Sequence, residues 1–352
     1  MLKVAILLPS LARTGPIFVA HKIVENLKYE VDFTVFYLDK IEHLPFNCKT
    51  VKIGFFEKIN FKEFDVIHSH MMRPDLYLIY HKANLNTKTV TTFHQYIFQN
   101  FKYTHNAFIS FIIKKIWLFR ISKINQIVCL SKGMKDYYDK KNIHPSISNI
   151  YNGVNVPTIN NTINSDDLET IQALKSKYIV LGSMAKYDAR KGLEQIIKVL
   201  AINPKLAFVL IGDGSEKENL LALAKKLNVS DRIFFAGFRK NSTDYLPLFD
   251  IYLIPSRSEG VSLALLEAVA SKTPVVCSDI ISFTELFEND ELSFFELDNI
   301  TSLNNAIAFS LTNRNQLVEK AFEKYKNNFT ETLMAQNYLK LYHQLVNKNT
   351  SN

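Results

Sequence analysis

Residues 255–268 read PSRSEGVSLALLEA, and this stretch decides the fold because it joins a buried-looking run to a helical one. The run before it, Ile251–Ile254, is apolar at every position, as a strand covered on both faces must be. After it, apolar residues recur at helical spacing, and the hydroxyl of Ser262 is suited to cap the first turn. A strand, a tight turn and a helix in this order are the building unit of a parallel α/β sheet.

The same alternation of β-branched runs and amphipathic stretches extends along the chain. Helices are predicted, for example, at Ser215–Leu227 and Ser262–Ser271. The strands predicted in the first half are Val4–Leu8, Phe33–Tyr37, Val66–Ser69, Thr89–Phe93, Ile127–Leu130 and Ile147–Ile150. The strands predicted in the second half are Tyr178–Gly182, Phe208–Ile211, Ile233–Phe235, Ile251–Ile254, Val275–Cys277 and Phe294–Leu297. The predicted fold class is therefore α/β, with one parallel sheet in each half.

The length of the chain favours two domains, because 352 residues exceed the size at which one hydrophobic core stops growing. A polar, poorly periodic stretch after Pro157 predicts a linker. The predicted organisation is an N-terminal domain at 1–157, a linker at 158–175, a C-terminal domain at 176–330 and a final helix at 331–347. We expect this final helix to pack back on the N-terminal domain.

Composition predicts a cytoplasmic protein. Cys48, Cys129 and Cys277 are far apart and form no C-x-x-C pair, which excludes a disulfide framework and a cysteine-based zinc site. The apolar run Val4–Leu8 is too short for a signal peptide and is interpreted as a first strand. No run approaches the roughly 20 apolar residues of a membrane-spanning helix.

The net charge of +8 is concentrated in the first half. Residues 1–165 carry 21 Lys or Arg against 11 Asp or Glu, whereas the remainder carries 21 against 23. Nine basic residues and no acidic residue lie between Asp75 and Asp136. This asymmetry indicates an anionic surface facing the first half.

The stretch at 255–268 is also a candidate anion site. Gly260 allows a ligand to approach the backbone closely, and the N–H groups and dipole of the helix that follows attract negative charge. Glu259 and Glu267 stand before and within this helix, so they can reach opposite ends of one ligand. The alternative is an ordinary strand–turn–helix with two solvated carboxylates.

Two further loops follow strands in the second half. Lys186, Arg190 and Lys191 crowd a short loop and suit a diphosphate, although a solvated basic turn has the same composition. The turn Gly212–Gly214 lies where open α/β sheets bind ligands, and an ordinary tight turn is the alternative. The absence of G-x-G-x-x-G argues against a dinucleotide-dependent dehydrogenase.

The first half offers Gly15, in the loop Thr14-Gly15-Pro16, and His94 at the end of a predicted strand. His68 and His70 end another strand. A histidine at a strand end is commonly structural, and no carboxylate or cysteine stands at ligand spacing from this H-x-H pair. No metal site is therefore predicted.

Taken together, these motifs resemble glycosyltransferase family 4, whose members are retaining enzymes with the GT-B fold of two Rossmann-like domains facing a central cleft. The motifs that match, in the family's order, are the glycine loop at Thr14-Gly15-Pro16, the strand end Leu130-Ser131-Lys132, the N-G-V run at Asn152-Gly153-Val154-Asn155, the basic loop Ala185–Gly192, the glycine turn Gly212-Asp213-Gly214, the strand and turn Phe234–Phe238, and the E-x7-E pair Glu259 and Glu267. In the basic loop, Lys186 stands where the family usually has Arg.

The resemblance implies a role for each matching residue. The implied catalytic residues are Glu259, which contacts the transferred sugar, and His94, which lines the cleft near the sugar and the acceptor. The implied donor-binding residues are Gly15, Lys186, Lys191, Gly260, Val261, Ser262, Leu263 and Glu267, with Gly212 and Phe238 on the base side. In this scheme the two lysines neutralise the donor diphosphate, and Glu267 binds the ribose hydroxyls.

The resemblance further implies a front-face mechanism that retains the anomeric configuration, in which the leaving phosphate takes the acceptor proton. No cofactor is expected, since the nucleotide-sugar is a substrate. No metal is expected either, because no two aspartates are spaced as D-x-D. We expect a UDP-sugar donor first and GDP-mannose next, and a saccharide or lipid-linked acceptor in polysaccharide or O-antigen assembly.

Residues 97–124 interleave aromatic side chains with Lys102, Lys114, Lys115, Arg120 and Lys123. Amphipathic, basic and aromatic segments lie at membrane interfaces, so we expect peripheral contact with an anionic membrane surface. A buried helix with a solvated basic edge is the alternative.

The rival functions are a basic module that binds nucleic acid, which would leave the E-x7-E element unused, and another GT-B chemistry such as an epimerase or a phosphorylase.

Overall fold

The computed structural model describes residues 1–81, 87–96, 121–157 and 163–347. The chain divides into two compact units. The first unit is Met1–Gly153 together with Phe329–Asn352, and the second is Val154–Asn328. Each unit is built around one parallel sheet, as the alternating pattern predicts.

The first unit contains a sheet of seven described strands. They are β1 (Leu2–Leu8), β2 (Val31–Tyr37), β3 (Lys49–Lys52), β4 (Val66–His70), β5 (Lys88–Phe93), β6 (Gln126–Cys129) and β7 (Ile147–Asn149). Their order across the sheet is β3-β2-β1-β4-β5-β6-β7. The described helices before the second unit are α1 (Gly15–Leu27), α2 (Met72–His81), α3 (Lys132–Asp139) and a 3-10 turn (Phe61–Glu63).

The predicted first strand lies in the middle of this sheet. β1 pairs with β2 on one side and with β4 on the other, both in parallel. Val4, Ala5 and Ile6 are fully buried, which a strand covered on both faces requires. The apolar run near the N terminus is therefore part of the core of the first unit.

The C-terminal helix (Glu331–Asn347) belongs to the first unit, where it packs against α1. Glu331 at its start forms an ion pair with Lys22, with 2.9 Å between Oε2 and Nζ, and its Oε1 accepts from Asn26 Nδ2 at 3.2 Å. Gly153 lies so close to this start that a Cβ there would be 2.1 Å from the carbonyl oxygen of Thr330. The chain therefore leaves the first unit and later returns to it.

The second unit contains a sheet of six described strands. They are β8 (Ile179–Met184), β9 (Leu206–Ile211), β10 (Ile233–Gly237), β11 (Ile251–Ile254), β12 (Val275–Ser278) and β13 (Ser293–Phe295). Their order is β10-β9-β8-β11-β12-β13. The described helices are α4 (Ser165–Lys175), α5 (Glu194–Ile202), α6 (Lys217–Lys226), α7 (Leu263–Ala270), α8 (Ile281–Thr284), α9 (Ile300–Thr312) and α10 (Arg314–Asn328), with 3-10 turns at Ala189–Lys191, Ser230–Arg232 and Ser242–Leu248.

Two elements of the structure were missed by sequence prediction. Ser165–Lys175, the second part of the predicted linker, forms helix α4 and packs on β8. The short strand β3, with the sequence KTVK, lies at a sheet edge and is largely exposed. Edge strands are commonly polar, and the two lysines of β3 break the run of apolar residues by which a strand is predicted from sequence.

Candidate active site

The candidate site lies at the carboxyl-terminal ends of the strands in the second unit. In a parallel sheet these ends meet at one edge, where open α/β sheets bind ligands. Four turns emerge there, and they are residues 185–192 after β8, 212–214 after β9, 237–239 after β10 and 255–262 after β11. The basic loop, the glycine turn and the E-x7-E segment therefore lie side by side, as the sequence predicts.

Backbone hydrogen bonds tie the basic loop to the E-x7-E segment. The N–H of Arg257 donates to the carbonyl of Arg190 at 2.8 Å. Gln195 Nε2 donates to the carbonyls of Gly192 and Pro255, at 3.2 and 2.9 Å. Gly192 has φ +63°, and a Cβ there would lie 2.1 Å from the Pro255 oxygen. Glycine is thus required for the two loops to meet.

Glu259 is the centre of an ionic cluster between these two loops. It is 9% exposed, and its Oε1 accepts from Lys191 Nζ at 2.5 Å and from Ser256 Oγ at 2.9 Å. Arg190 Nη1 lies 3.9 Å from the other oxygen, and its second nitrogen lies 3.7 Å from Asp188. The carboxylate is therefore fixed in position, with two cations beside it.

Helix α7 begins next to this cluster. Ser262 adopts an extended backbone and its Oγ accepts from Leu265 N at 3.3 Å, which confirms the predicted N-cap. Gly260, Val261 and Ser262 are buried in the turn that leads into the helix, and Glu267 follows on α7. The N-cap of α7, where the helix dipole is positive, thus follows Glu259, the partner of Lys191, by three residues in the chain.

Lys186 lies on the same loop but has a different environment. Its side chain is exposed, and the structure shows no ion pair for it within the described residues. The adjacent Tyr187 is buried and anchors the loop, because its N–H donates to Asp213 O and its hydroxyl to Leu210 O. Lys186 is therefore held at the backbone while its ammonium group stays in solvent.

The glycine turn packs directly against this loop. Gly212 has φ +138°, and a Cβ there would lie 1.9 Å from the Ala185 oxygen. A Cβ on Gly214 would lie 2.4 Å from the Tyr187 oxygen. Both glycines are needed for close approach, so the turn at Gly212 supports the loop that carries Lys186.

Phe238 stands on the next turn with its side chain 70% exposed. The turn is fixed by an ion pair that sequence analysis missed. Arg239 binds Asp167 through two hydrogen bonds of 2.6 and 2.8 Å, and Tyr245 donates to the same carboxylate at 2.5 Å. Burial raises the pKa of Asp167, but the hydrogen bonds from Arg239 and Tyr245 outweigh it and hold the pKa below its usual value.

In the first unit, the predicted residue His94 follows β5 and contacts the predicted H-x-H pair. Its Nε2 lies 2.9 Å from His70 Nδ1, and the His70 ring is tilted over the ring of His68 at 4.2 Å between centroids. His68 contacts Tyr342 and Thr92, each at 2.8 Å. Burial lowers the pKa of His68 and of His94 to about 3, so both rings are neutral near pH 7.

Gly15 is the first residue of α1 and is followed by Pro16, which suits a first helical turn.

No group of His, Cys, Asp and Glu in the described residues has the geometry of a metal site. Of the predicted membrane segment 97–124, residues 97–120 lie outside the part of the chain that the structure describes. In the part of the chain that the structure covers, no helix is long and apolar enough to cross a membrane.

Comparison with known proteins identifies the family. Residues 29–157 match the family model described as Glycosyltransferase Family 4, and residues 164–329 match Glycosyl transferases group 1. The chain is also 31% identical to the O-antigen biosynthesis glycosyltransferase WclY of Escherichia coli, across 98% of this chain and 99% of WclY. The chain belongs to glycosyltransferase family 4. It is a glycosyltransferase, as the motifs predict.

Other relatives match over shorter lengths. An N-acetylgalactosaminyltransferase of Campylobacter jejuni, named for a diphospho-undecaprenol acceptor, is 31% identical over 64% of this chain and 63% of its own length. An Escherichia coli UDP-Gal:alpha-D-GlcNAc-diphosphoundecaprenol alpha-1,3-galactosyltransferase is 26% identical over 72% of this chain and 68% of its own.

Solved structures agree with the GT-B fold of this family 4 glycosyltransferase. HepE of Anabaena, solved with UDP and glucose, superposes with a TM-score of 0.81 at 16% identity, covering 98% of this chain and all of HepE. Sucrose-phosphate synthase of Thermosynechococcus elongatus gives a TM-score of 0.78 at 17% identity, covering 98% of this chain and 99% of its own. At these identities the likeness shows the fold alone.

Proposed function

We propose that this glycosyltransferase moves a sugar from a nucleotide-sugar onto a saccharide or lipid-linked acceptor, with retention, during cell-surface polysaccharide synthesis. The observation that carries the proposal is the convergence of the 185–192 and 255–262 loops, which brings Arg190 and Lys191 beside Glu259, just before the start of α7. Cations and a helix N terminus at one strand edge form a site for a diphosphate.

The donor diphosphate in this proposal is bound by Lys186, Lys191 and the backbone N–H groups of Gly260, Val261, Ser262 and Leu263. Negative charge develops on the leaving phosphate as the glycosidic bond breaks, and fixed cations stabilise it. Gly15 is proposed as a further donor-binding residue on the family resemblance alone. Lys186 is well suited to this task because no carboxylate in the described residues binds it.

Glu259 is proposed to act on the transferred sugar. Its carboxylate is held by Ser256 and Lys191, so it needs little reorganisation to face a ring whose anomeric carbon becomes positive. Glu267, the fifth residue of α7, is proposed to bind the ribose hydroxyls. The exposed ring of Phe238 and the turn at Gly212 then border the base.

Retention and metal independence are part of the same proposal. In a front-face reaction the acceptor hydroxyl attacks on the side from which the nucleoside diphosphate leaves, and the leaving phosphate oxygen takes the hydroxyl proton. From the family resemblance, His94 is proposed to contact the sugar, and its lowered pKa makes it a weak base. Lysine and arginine charges, instead of a D-x-D-bound ion, offset the diphosphate charge.

We favour a UDP-sugar donor, with GDP-mannose next, and an acceptor in O-antigen synthesis. The names of relatives support this choice, because WclY acts in O-antigen biosynthesis and the galactosyltransferase is named for UDP-Gal and a diphosphoundecaprenol acceptor.

A peripheral position on an anionic membrane surface would bring the enzyme to such an acceptor. Neutralising Lys114, Lys115, Arg120 and Lys123 should release it from anionic vesicles, and unchanged co-sedimentation would refute this contact.

The function is tested by a thermal-shift screen of UDP- and GDP-sugars, followed by product analysis with and without EDTA. We expect one nucleotide-sugar to stabilise the wild type, Glu267→Ala and Lys191→Ala to weaken that binding, and transfer to survive EDTA. Turnover of the donor without any acceptor would indicate an epimerase instead. Salt-sensitive binding to random oligonucleotides, with no nucleotide-sugar binding, would indicate a nucleic-acid module.

A further inference from the structure

A buried polar cluster in the first unit joins two strands to the C-terminal helix. His68 and His70 on β4 alternate with Ser69, so the two rings share one face of the sheet. Thr92 on β5 lies beside them, and the C-terminal helix contributes Tyr338 and Tyr342. His94 extends this cluster beyond the end of β5, where it is only partly buried.

Most of the cluster is satisfied by hydrogen bonds. His68 uses both ring nitrogens, one toward the Tyr342 hydroxyl and one toward Thr92 Oγ1, each at 2.8 Å. Thr92 Oγ1 is also 3.0 Å from the Tyr338 hydroxyl. His70 is the exception, because its Nε2 is buried and has no hydrogen-bond partner within the described residues.

This unpaired nitrogen constrains the proton between His70 and His94. Burial holds the pKa of His70 well below its usual value, so this ring is neutral like that of His94. Across the 2.9 Å contact from His70 Nδ1 to His94 Nε2, one nitrogen therefore donates and the other accepts. If His94 donates, the proton of His70 must sit on Nε2, as a buried N–H without an acceptor. If His70 donates, its Nε2 carries a lone pair and no proton, and His94 carries its own proton on Nδ1.

The second arrangement is the less costly one. An orphaned N–H in a dry interior is rarer than an under-satisfied acceptor, because the polar hydrogen has no weak substitute partner, whereas a lone pair tolerates C–H contacts. The ring of His68 lies against His70 and its own nitrogens are already engaged, so it offers Nε2 no acceptor. The His70 proton therefore belongs on Nδ1.

We infer that His70 is a positioning residue that donates from Nδ1 to His94 Nε2 and thereby fixes His94 as the Nδ1–H tautomer. His94 then meets its ligand as a hydrogen-bond donor to an oxygen lone pair, and it cannot accept a proton at that nitrogen. This role rests on the proposed contact between His94 and the sugar substrates. It deepens that proposal by assigning the direction of the hydrogen bond.

The tautomer is measured directly in the full-length protein labelled with 15N-histidine, by long-range 1H–15N NMR without any substrate. His70→Asn and His94→Asn spectra assign the two rings. We expect His94 to be protonated at Nδ1 and bare at Nε2. A spectrum with the proton of His94 on Nε2 overturns the inference, whether or not the protein is an active transferase.

A matched pair of variants tests the consequence. His70→Asn keeps an N–H near the position of Nδ1, whereas His70→Asp offers only acceptors and draws the proton of His94 onto Nε2. We expect kcat within about threefold of wild type for Asn and at least about tenfold lower for Asp, with a smaller change in the KM of the donor. Equal kcat values for the two variants would contradict the inference.

Tyr342→Phe serves as the control for disturbance of the cluster. It removes a buried hydroxyl that contacts His68 and not His94, so the tautomer of His94 should remain as in wild type. Thermal melts of all variants show which of them fold. If His70→Asp does not fold, the wild-type spectrum still decides the question. If the wild type shows His94 protonated at Nδ1 but has no transfer activity, the proposed function is refuted and the inferred tautomer is confirmed.

Discussion

Lys191 and Glu259 form an ion pair in the second unit, with Nζ 2.5 Å from Oε1, although 68 residues separate them in the chain. The pair joins the basic loop to the loop that opens α7. Ser256 holds the same carboxylate oxygen at 2.9 Å. One contact thus positions Lys191, which is proposed to bind phosphate, and Glu259, which is proposed to act on the sugar.

The first prediction separates catalysis from donor binding. Glu259→Gln keeps the shape of the side chain but removes its charge, so it should lower kcat by roughly 100-fold and change the Kd of the donor little. Lys191→Ala should instead raise that Kd by about tenfold, since one charge-assisted contact is lost. Steady-state kinetics and calorimetry measure both, and a Glu259→Gln variant with wild-type kcat would contradict the role of Glu259.

The second prediction compares the stability of two lysine variants. Lys191→Ala leaves the largely buried Glu259 without its main partner and should lower the free energy of unfolding by about 1–3 kcal/mol. Lys186→Ala removes an exposed side chain and should change stability by less than about 0.5 kcal/mol. Urea unfolding of both variants checks this contrast, which equal losses would refute.

The third prediction concerns the glycine that lets the two loops meet. Gly192→Ala places a Cβ 2.1 Å from the Pro255 oxygen at a residue with φ +63°, so it should destabilise the second unit by about 2 kcal/mol or more. Gly54→Ala is the matched control, because its nearest contact would be an ordinary 3.7 Å. Thermal unfolding should show a lower Tm for Gly192→Ala alone.

The fourth prediction is a pH dependence of stability. Burial lowers the pKa of His68 from 6.5 to about 3. The unfolded chain therefore takes up this proton first as the pH falls below 6.5, and the stability that neutral His68 contributes above 6.5 is lost progressively toward pH 3. The loss is about 1.4 kcal/mol per pH unit for each such histidine.

Urea unfolding between pH 7 and pH 5 measures this effect. The His68→Asn variant should show a shallower fall in the free energy of unfolding than wild type. The exposed His43, changed to Asn, is the control and should leave the wild-type slope unchanged. Identical slopes for wild type and His68→Asn would show that His68 is not held neutral by burial.

Much of the site could be predicted from sequence because it depends on local order. The stretch 255–268 predicts a strand, a turn and a helix capped by Ser262, and parallel strands place all such turns at one edge of the sheet. Glycines at 192 and 212 are typical of close backbone approach, although sequence does not show which carbonyl they approach. The structure identifies these carbonyls as those of Pro255 and Ala185.

Side-chain partners distant in sequence could not be predicted. Arg239 and Asp167 are 72 residues apart, and nothing in the local pattern of either indicates an ion pair. Tyr342 and His68 are 274 residues apart and meet only because the C-terminal helix packs in the first unit. The missed helix α4 has the same cause, since its polar sequence forms a helix through packing on β8.

The second unit is proposed to bind a diphosphate through Lys186, Lys191 and the start of α7. Calorimetric titration of UDP into wild type, Lys186→Ala, Lys191→Ala and Lys205→Ala tests it most directly, because Lys205 precedes β9 at the opposite edge of the same sheet. We predict that the first two variants raise the Kd by about tenfold each and that Lys205→Ala leaves it unchanged. UDP affinity equal to wild type in both Lys186→Ala and Lys191→Ala would contradict the account.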